Sequence, residues 1–432
     1  MGALALIPVI ALMADPSNFV PKDARIGDPV ISYAHADFYS PFGLMAYDND
    51  AGGIRVSQLN GITGAPGSPS TPDFNFSNSA APARDPQAGP KFGLSSGAWA
   101  VYFTKANGAQ PQIWRTTMPA NVITPVALTA GDTPRIDPRP TLDNDGQPAW
   151  ILCTHASQLQ NTNTIGWFRE DQPGSEQTLN NVVVDASGPR WIAGTHRFTY
   201  LTSPSFVTQV AIMDAETGIS QIITDDPGDK SDAFVFNAPE WNGEAVLVCT
   251  VGQTQINVYR HFGEDEFWTR VLSTPLPLGA TSLGYQYMYG FQPFIWNGHT
   301  YLCGQIQKDE VVTPYGRTTA SVWMVGLDSP FHRLDTGEPA AERYGARVFF
   351  GRTKVYVYYN LINAAGLWEN HRCDTGLNVG DANNDGRVRL IDIMVVLSQY
   401  GMTTLNLAGD INRDGIVDDV DLTAVLANFG LY

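Results

Sequence analysis

Asp137-Pro-Arg-Pro-Thr-Leu142, then Asp143-Asn-Asp-Gly146, then Ala149-Trp-Ile-Leu-Cys153 and, after a polar loop, Ile165-Gly-Trp-Phe168 form one unit of a pattern that recurs along most of the chain. The unit is a Pro-marked segment, a turn, an apolar strand and a partner strand. Its apolar strand returns as Gly43–Tyr47, Ala100–Thr104, Phe198–Leu201, Ala245–Cys249, Thr300–Cys303 and Lys354–Tyr358, seven copies spaced by close to fifty residues. Partner strands follow at Ile54-Arg-Val-Ser, Gln112-Ile-Trp-Arg, Gln209-Val-Ala-Ile-Met, Ile256-Asn-Val-Tyr and Ser321-Val-Trp-Met-Val.

Upstream of the copies stand Asp85-Pro, Gly188-Pro-Arg-Trp, Ala238-Pro-Glu-Trp241, Gln292-Pro-Phe-Ile-Trp296 and Arg343-Tyr-Gly-Ala-Arg. Asn242-Gly243 and Asn297-Gly298 are tight-hairpin dipeptides, because both of their residues tolerate the positive φ that a two-residue turn requires. Short antiparallel strands in a unit repeated seven times, with no helical period between them, predict a mainly β chain folded as a seven-bladed β-propeller. The blade pattern, with Phe103-Thr and Gln112-Ile-Trp-Arg, is loosely similar to TolB-type propellers. Residues 15–27 and 60–82, rich in Pro, Ser, Ala and Gly, are expected to be a lead-in and a long loop.

The last fifty residues break the pattern. Asp381-Ala-Asn383-Asn-Asp385-Gly386-Arg-Val388-Arg-Leu-Ile-Asp392 recurs twenty-nine residues later as Asp410-Ile-Asn412-Arg-Asp414-Gly415-Ile-Val417-Asp-Asp-Val-Asp421. Oxygen side chains at loop positions 1, 3 and 5, Gly at 6, a backbone carbonyl at 7 (Arg387, Ile416) and a carboxylate at 12 suit a hard divalent cation. Asp418 at position 9 of the second copy can ligate directly or through water, whereas its counterpart Arg389 cannot. Each loop is followed by one amphipathic helix (Ile393, Val396, Leu397, Tyr400; Leu422, Val425, Leu426, Phe429) and preceded by none.

This loop-then-helix duplication resembles the type I dockerin over residues 377–432. The resemblance implies a small α-helical module with two Ca2+ ions, held by Asp381, Asn383, Asp385 and Asp392 and by Asp410, Asn412, Asp414 and Asp421. It also implies a cohesin-like domain as partner. The hydroxyl pair that many dockerins carry at loop positions 10 and 11 is replaced here by Leu390-Ile391 and Asp419-Val420. The organisation expected is residues 1–14 as a truncated signal peptide, 15–376 as propeller and 377–432 as the dockerin-like module, with residues 371–380 as hinge.

A net charge of -17 and a pI near 4.7 argue against nucleic acid as partner, since phosphate binding needs a basic face. No stretch is long and apolar enough to predict a membrane span. The apolar start before Asp15 and the calcium loops point to a secreted, extracellular protein. Cys153, Cys249 and Cys303 lie within apolar strands and Cys373 ends a loop, so small buried hydrophobes are expected rather than disulfides or a zinc site.

Polar residues beside the recurring Pro positions are expected to converge at one mouth of the central channel: His35, Asp37, Arg84, Asp85, Arg135, Asp137, Asn237, Glu240, Gln292 and Arg343. Such a mouth suits an anionic or hydroxyl-rich ligand, here a polysaccharide. Asp85 or Asp137 with Glu240 could form an acid/base pair of a glycoside hydrolase. Alternatively His35 as base, with Arg84 or Arg135 neutralising a uronate, would suit a polysaccharide lyase, as in seven-bladed oligogalacturonate-lyase-like propellers. A non-catalytic scaffold or protein-interaction propeller is the alternative from another class.

Calorimetry on the full chain should resolve two calcium events of unequal affinity, and Asp421→Ala should remove one of them.

Overall fold

The computed structural model describes residues 23–26, 34–39, 44–48, 53–59, 83–90, 99–118, 125–141, 147–155, 163–172, 174–183, 188–263, 267–311, 318–327, 329–336, 341–351, 353–363, 368–383, 387–403, 407–411 and 415–430. The expected signal segment 1–14, the loop 60–82, the turn Asp143–Gly146, and Asp385, Asn412 and Asp414 lie outside these residues.

After β1 (Asp23–Ile26), the chain lays down one antiparallel sheet after another. β2 (Ala34–Tyr39), β3 (Leu44–Asp48) and β4 (Ile54–Gln58) make a three-stranded sheet. β5 (Arg84–Pro90), β6 (Trp99–Asn107), β7 (Gln110–Met118) and β8 (Val126–Ala127) make the next. β9 (Arg135–Pro140), β10 (Trp150–His155), β11 (Asn163–Arg169) and β12 (Gln177–Val182) follow. Then come β13 (Arg190–Trp191), β14 (Arg197–Thr202), β15 (Gln209–Asp214) and β16 (Ser220–Ile222). β17 (Lys230–Ala238), β18 (Glu244–Val251), β19 (Gln255–Arg260) and β20 (Thr269–Pro275) are succeeded by the short helix α1 (Leu278–Ser282). β21 (Tyr285–Trp296), β22 (His299–Val311), β23 (Thr318–Gly326) and β24 (Phe331–Arg333) form the next sheet. The last is β25 (Glu342–Phe350), β26 (Lys354–Ile362) and β27 (Trp368–Asn378), with β1 as its outer strand.

The architecture is a mainly β propeller. Where seven blades are expected, the described residues form six four-stranded blades and the three-stranded sheet β2–β4. First strands of successive sheets meet one another (β2 with β5, β5 with β9, β17 with β21, β21 with β25, β25 with β2), and where the first strand is the two-residue β13 its neighbour β14 meets β17, so the inner strands surround the central axis. Every apolar strand in the sequence pattern is the second strand of its sheet. These strands are nearly continuous in Val, Ile, Leu, Tyr and Phe because both of their faces are buried against neighbouring sheets.

Residues 23–26, expected to be lead-in, instead pair with β27 from Asp23↔Cys373 to Ile26↔Asn370. That pairing ties the two ends of the propeller sequence into one blade, and Arg25 reinforces it with a 2.8 Å ion pair to Glu369. The expected hinge at 371–380 is likewise strand as far as Asn378. β27 is bonded to β26 along its length, so no flexible connector precedes the calcium-type loops. All four cysteines are buried and carry free thiols.

Three of the seams between blades share a polar lock. In each, the backbone N–H after a buried Gln or Ser on a third strand donates to a side-chain oxygen just beyond the fourth strand, and a cation at the start of the next blade joins them. Ile113 N donates to Thr129 Oγ1 (3.0 Å), which donates to Gln112 Oε1 (2.8 Å), and Arg135 Nη1 reaches the same Gln112 oxygen (3.0 Å). Val210 N donates to Thr224 Oγ1 (3.0 Å), which donates to Gln209 Oε1 (2.7 Å), while Lys230 pairs with Asp226 (2.9 Å). Val322 N donates to Asp335 Oδ1 (3.2 Å), Ser321 Oγ donates to the same oxygen, and Arg343 Nε lies 2.8 Å from Asp335 Oδ2. Arg343 and Asp335 are both fully buried.

Deleting one member of a buried ion pair strands the other charge. Arg343→Ala should therefore lower unfolding stability by about 3–5 kcal/mol, measured by urea titration, and the double variant Arg343→Met/Asp335→Leu should lose less. The β1–β27 seam should weaken in acid. Burial alone would raise the Glu369 carboxyl, but hydrogen bonds from His371 and Asn363 and the Arg25 charge hold it below its ordinary 4.5. Its contribution is complete above that value and is lost as the pH falls towards the depressed one. The loss of urea stability between pH 6 and pH 3 should be smaller in Glu369→Gln than in the wild type.

Candidate functional site

The strands around the axis share one irregularity. Register jumps place three residues of the inner strand against two of its partner at Ala34/Asp37, Arg84/Gln87, Ser231/Phe234, Tyr289/Gln292 and Tyr344/Arg347, and opposite Leu152/Thr154 in β9. The first extra residue has positive φ at Asp85 (52°), Asp137 (54°), Asp232 (51°), Gly290 (65°) and Gly345 (69°). Gly188 (56°) occupies the same place ahead of β13. This is a β-bulge, and only Gly, Asn or Asp enters its left-handed residue cheaply. Pro is tolerated as the second extra residue because that residue's N–H is outside the ladder.

Asp85-Pro86 and Asp137-Pro138 are thus bulges in consecutive sheets, and Gly188-Pro189 repeats the positive φ before Pro just ahead of β13. Their N–H groups also bind across seams: Asp137 N donates to Thr104 Oγ1 (3.2 Å) and Gly290 N donates to Asp232 Oδ2 (2.8 Å).

The bulge sorts the expected site residues. Asp85 and Asp137 occupy the same position in neighbouring sheets, and Asp137 accepts from Arg139 Nε (3.0 Å) and Nη2 (2.6 Å). Arg84 directly precedes its bulge, His35 lies within the one in β2, and Asp37 and Gln292 directly follow theirs.

Asn237 and Glu240 do not join them. Pro239 ends its strand rather than opening it, so Glu240 sits in a short 3-10 turn (Pro239–Trp241) some eight residues, or about 25 Å of strand, beyond the bulge. There its carboxylate accepts from Thr300 N and Thr300 Oγ1 (2.7 Å). Glu240 thus stands at the far end of its strand from the bulge level that Asp85 and Asp137 share, with its carboxylate bonded to the hairpin of the next sheet. Arg135 and Arg343 are both spent in the seam locks instead of facing a mouth. Arg135 grips Glu176 through Nε (2.8 and 3.0 Å) and Nη2 (2.6 Å), and Arg343 is wholly inside.

Of the residues that follow the bulges, sequence reading named Asp37 and Gln292 and missed the rest. In ring order the full set is Asp37, Gln87, Arg139, Arg190, Phe234, Gln292 and Arg347. All whose side chains are described are half-buried, as befits a narrow channel wall. Their spatial succession is direct: Arg139 lies against Gly188, Trp191 Nε1 donates to Arg139 O (2.8 Å), and the Arg190 guanidinium stacks 5.3 Å from the Phe234 ring. The available signal was the residue after Pro in Asp-Pro-Gln87, Asp-Pro-Arg139 and Gly-Pro-Arg190. Three guanidiniums and two carboxamides at equivalent positions of the inner strands can bind an anionic ligand that also carries hydroxyls.

In the terminal module, α2 (Leu390–Gln399) and α3 (Asp419–Ala427) pack on a shared core of Ala382, Val388, Val396, Ile411, Val417 and Val425. The halves interlock reciprocally. Gly401 N donates to Val417 O and Gly430 N to Val388 O (both 2.8 Å), while Gly380 packs on Val425 Cα and Gly409 on Val396 Cα. Asp381, Asp392, Asp410 and Asp421 are buried, Asn383 is half-buried, and the position-7 side chains Arg387 and Ile416 face solvent. Arg389 N donates to Asp392 Oδ2 (2.7 Å) and Asp418 N to Asp421 Oδ2 (2.8 Å), so each position-12 carboxylate also starts its helix. Asp418 accepts from Val420 N (2.8 Å) as the N-cap of α3. Buried carboxylates with outward side chains at position 7 fit a calcium loop.

No family model and no curated relative matches the chain. Among solved structures it is similar to oligogalacturonate lyase from Vibrio parahaemolyticus, at 8% identity over 83% of this chain and 94% of that one, with a TM-score of 0.49. The Dos1 propeller matches at 11% identity over 78% and 77% (TM-score 0.43), and Trypanosoma rangeli sialidase at 9% over 88% and 62% (TM-score 0.38). These likenesses concern the propeller fold. Among the described residues no helix is long and apolar enough to cross a membrane.

Proposed function

We propose that this is a secreted propeller that binds or degrades an acidic polysaccharide, carried by a calcium-loaded dockerin-like module. β2–β4 is read as the seventh blade, because β2 carries the same bulge as the other inner strands and lies between β25 and β5. The observation that carries the saccharide reading is the ring level holding Arg139, Arg190 and Arg347 in a chain whose net charge is -17. Cations concentrated at one level of an otherwise acidic molecule suit uronate carboxylates, and Gln87 and Gln292 supply hydroxyl partners.

The module reading rests on the two reciprocal halves and their four buried Asp residues. Asp381, Asn383, Asp385 and Asp392, with the Arg387 carbonyl, would hold one Ca2+. Asp410, Asn412, Asp414 and Asp421, with the Ile416 carbonyl, would hold the other. The ions would neutralise the carboxylates and fix the helix starts. Leu390, Ile391, Met394 and Leu397 on α2 and Val420 and Leu426 on α3 are exposed apolar side chains. They offer a surface for a cohesin-like partner.

Calorimetry against uronate-bearing and neutral polysaccharides tests the propeller half. Binding should be confined to the acidic polymers, and Arg190→Ala and Arg347→Ala should each weaken it roughly 10-fold or more, the scale of one charge-assisted hydrogen bond. Ultraviolet absorbance from unsaturated uronate ends would mark a lyase rather than a binder. Equal binding to neutral polymers, or none to acidic ones, would remove this reading.

A further inference from the structure

The seam entering the β9–β12 blade departs from the other two locks. Lys230 and Arg343 take their carboxylates, Asp226 and Asp335, from the connection just ahead of their own strand. Arg135 instead takes Glu176, which lies just ahead of β12 and reaches back across the blade. That carboxylate now stands over two side chains of β10. Glu176 Oε1 is 2.9 Å from His155 Nε2 and 3.6 Å from Cys153 Sγ, and all three atoms lie within 4.8 Å of one another. The neighbouring strand makes room for them. A Cβ on Gly166 would collide with the Glu176 oxygen and lie 2.7 Å from His155 Nε2 and 3.1 Å from Cys153 Sγ. In the β17–β20 blade the same strand position holds Cys249 without a His or Glu, beside the Asn257 and Tyr259 side chains, and there it is only core.

From this convergence we infer that Cys153, His155 and Glu176 form a binding site for a thiophilic, four-coordinate divalent cation of the Zn2+ type. Sulfur, imidazole nitrogen and carboxylate oxygen are the donors that Zn2+ prefers, and three protein ligands leave the fourth position for water. Arg135 serves as the outer partner that fixes the carboxylate, with Nη2 on Oε2 at 2.6 Å, and Gln112 in turn holds Arg135. The His155 and Glu176 side chains keep 11% and 12% of their surface exposed, so solvent and metal reach the site from the His–Glu side while the thiol forms its floor. Loading removes one proton from the Cys153 thiol and replaces the His155–Glu176 hydrogen bond with two bonds to metal.

Co2+ is the probe. The full chain, stripped of transition metals and supplied with calcium to occupy the carboxylate loops, should take up one equivalent of Co2+ with a sulfur-to-cobalt charge-transfer band and the intense visible bands of four-coordinate cobalt. Zn2+ should bleach these bands with one equivalent. Cys153→Ala should abolish the charge transfer, and His155→Gln and Glu176→Gln should each weaken Co2+ binding at least about 10-fold, the lower end of the loss seen when even an outer partner is removed. No thiolate band at saturating Co2+, or a band that survives in Cys153→Ala, would overturn the proposal. Should Cys153→Ala fail to fold, wild-type cobalt affinity in folded His155→Gln and Glu176→Gln would overturn it equally.

Discussion

A cation buried at the start of one blade and gripped by the previous blade sets how neighbouring sheets meet. Arg135, Lys230 and Arg343 each stand at the first or second residue of an inner strand, and each reaches a Gln, carboxylate or backbone carbonyl of the blade before. Sheet faces of Val, Ile and aromatic side chains would pack at many relative offsets with similar energy. A buried charge does not allow this, because a slip of one residue would leave a guanidinium or ammonium without its oxygen in a dry interface. The net stabilisation from such a pair is small, since desolvation offsets most of the Coulomb attraction. What it supplies here is register, and register places the residues of different blades at one level around the axis.

The bulge then converts that register into a site. An inner strand without it would alternate evenly, and the residue after the bulge would point into the seam. The extra residue rotates the strand, and the left-handed position costs little at Asp85, Asp137, Asp232, Gly290 and Gly345. The same residues use their N–H groups or carboxylates to bind the blade beside them, as Gly290 does with Asp232. Local backbone geometry, seam bonding and the ring of Gln87, Arg139, Arg190, Gln292 and Arg347 therefore have one structural origin.

This explains which parts were legible in the sequence. The second strands are apolar on both faces, so the repeat was plain, and Asn242-Gly243 and Asn297-Gly298 do take positive φ at both turn residues. The inner strands were harder, because Pro marks the bulge in β5 and β9 but the far end of the strand at Pro239. Treating the two as equivalent put Asn237 and Glu240 beside Asp85. In the later blades the bulge is Asp232-Ala233, Gly290-Phe291 and Gly345-Ala346, which offers no Pro to align. Arg135 and Arg343 read as site residues because charge suggests exposure, and their partners Glu176 and Asp335 lie 41 and 8 residues away in connections between strands. The Cys153, His155 and Glu176 grouping was invisible for the same reason, since only Cys153 and His155 are neighbours on a strand.

The terminal module shows the reverse case, where the two helices after the repeated loops were legible but the module's attachment was not. A hinge was expected at 371–380, yet β27 continues as strand through Asn378. Thr375 Oγ1 donates to Val355 O (2.7 Å), and Val379 N donates to Thr353 O (2.7 Å) just before the first loop begins. Asn297, from the hairpin of the preceding blade, donates its Nδ2 to the Asp381 carbonyl. Position 1 of the first loop is therefore held by the propeller on its backbone side. The last blade thus carries the pairing with β1 that ties the ends of the propeller sequence together, and also the mount of the module. An ion that fixes the Asp381 side chain would tighten the segment from which β27 runs back to meet β1.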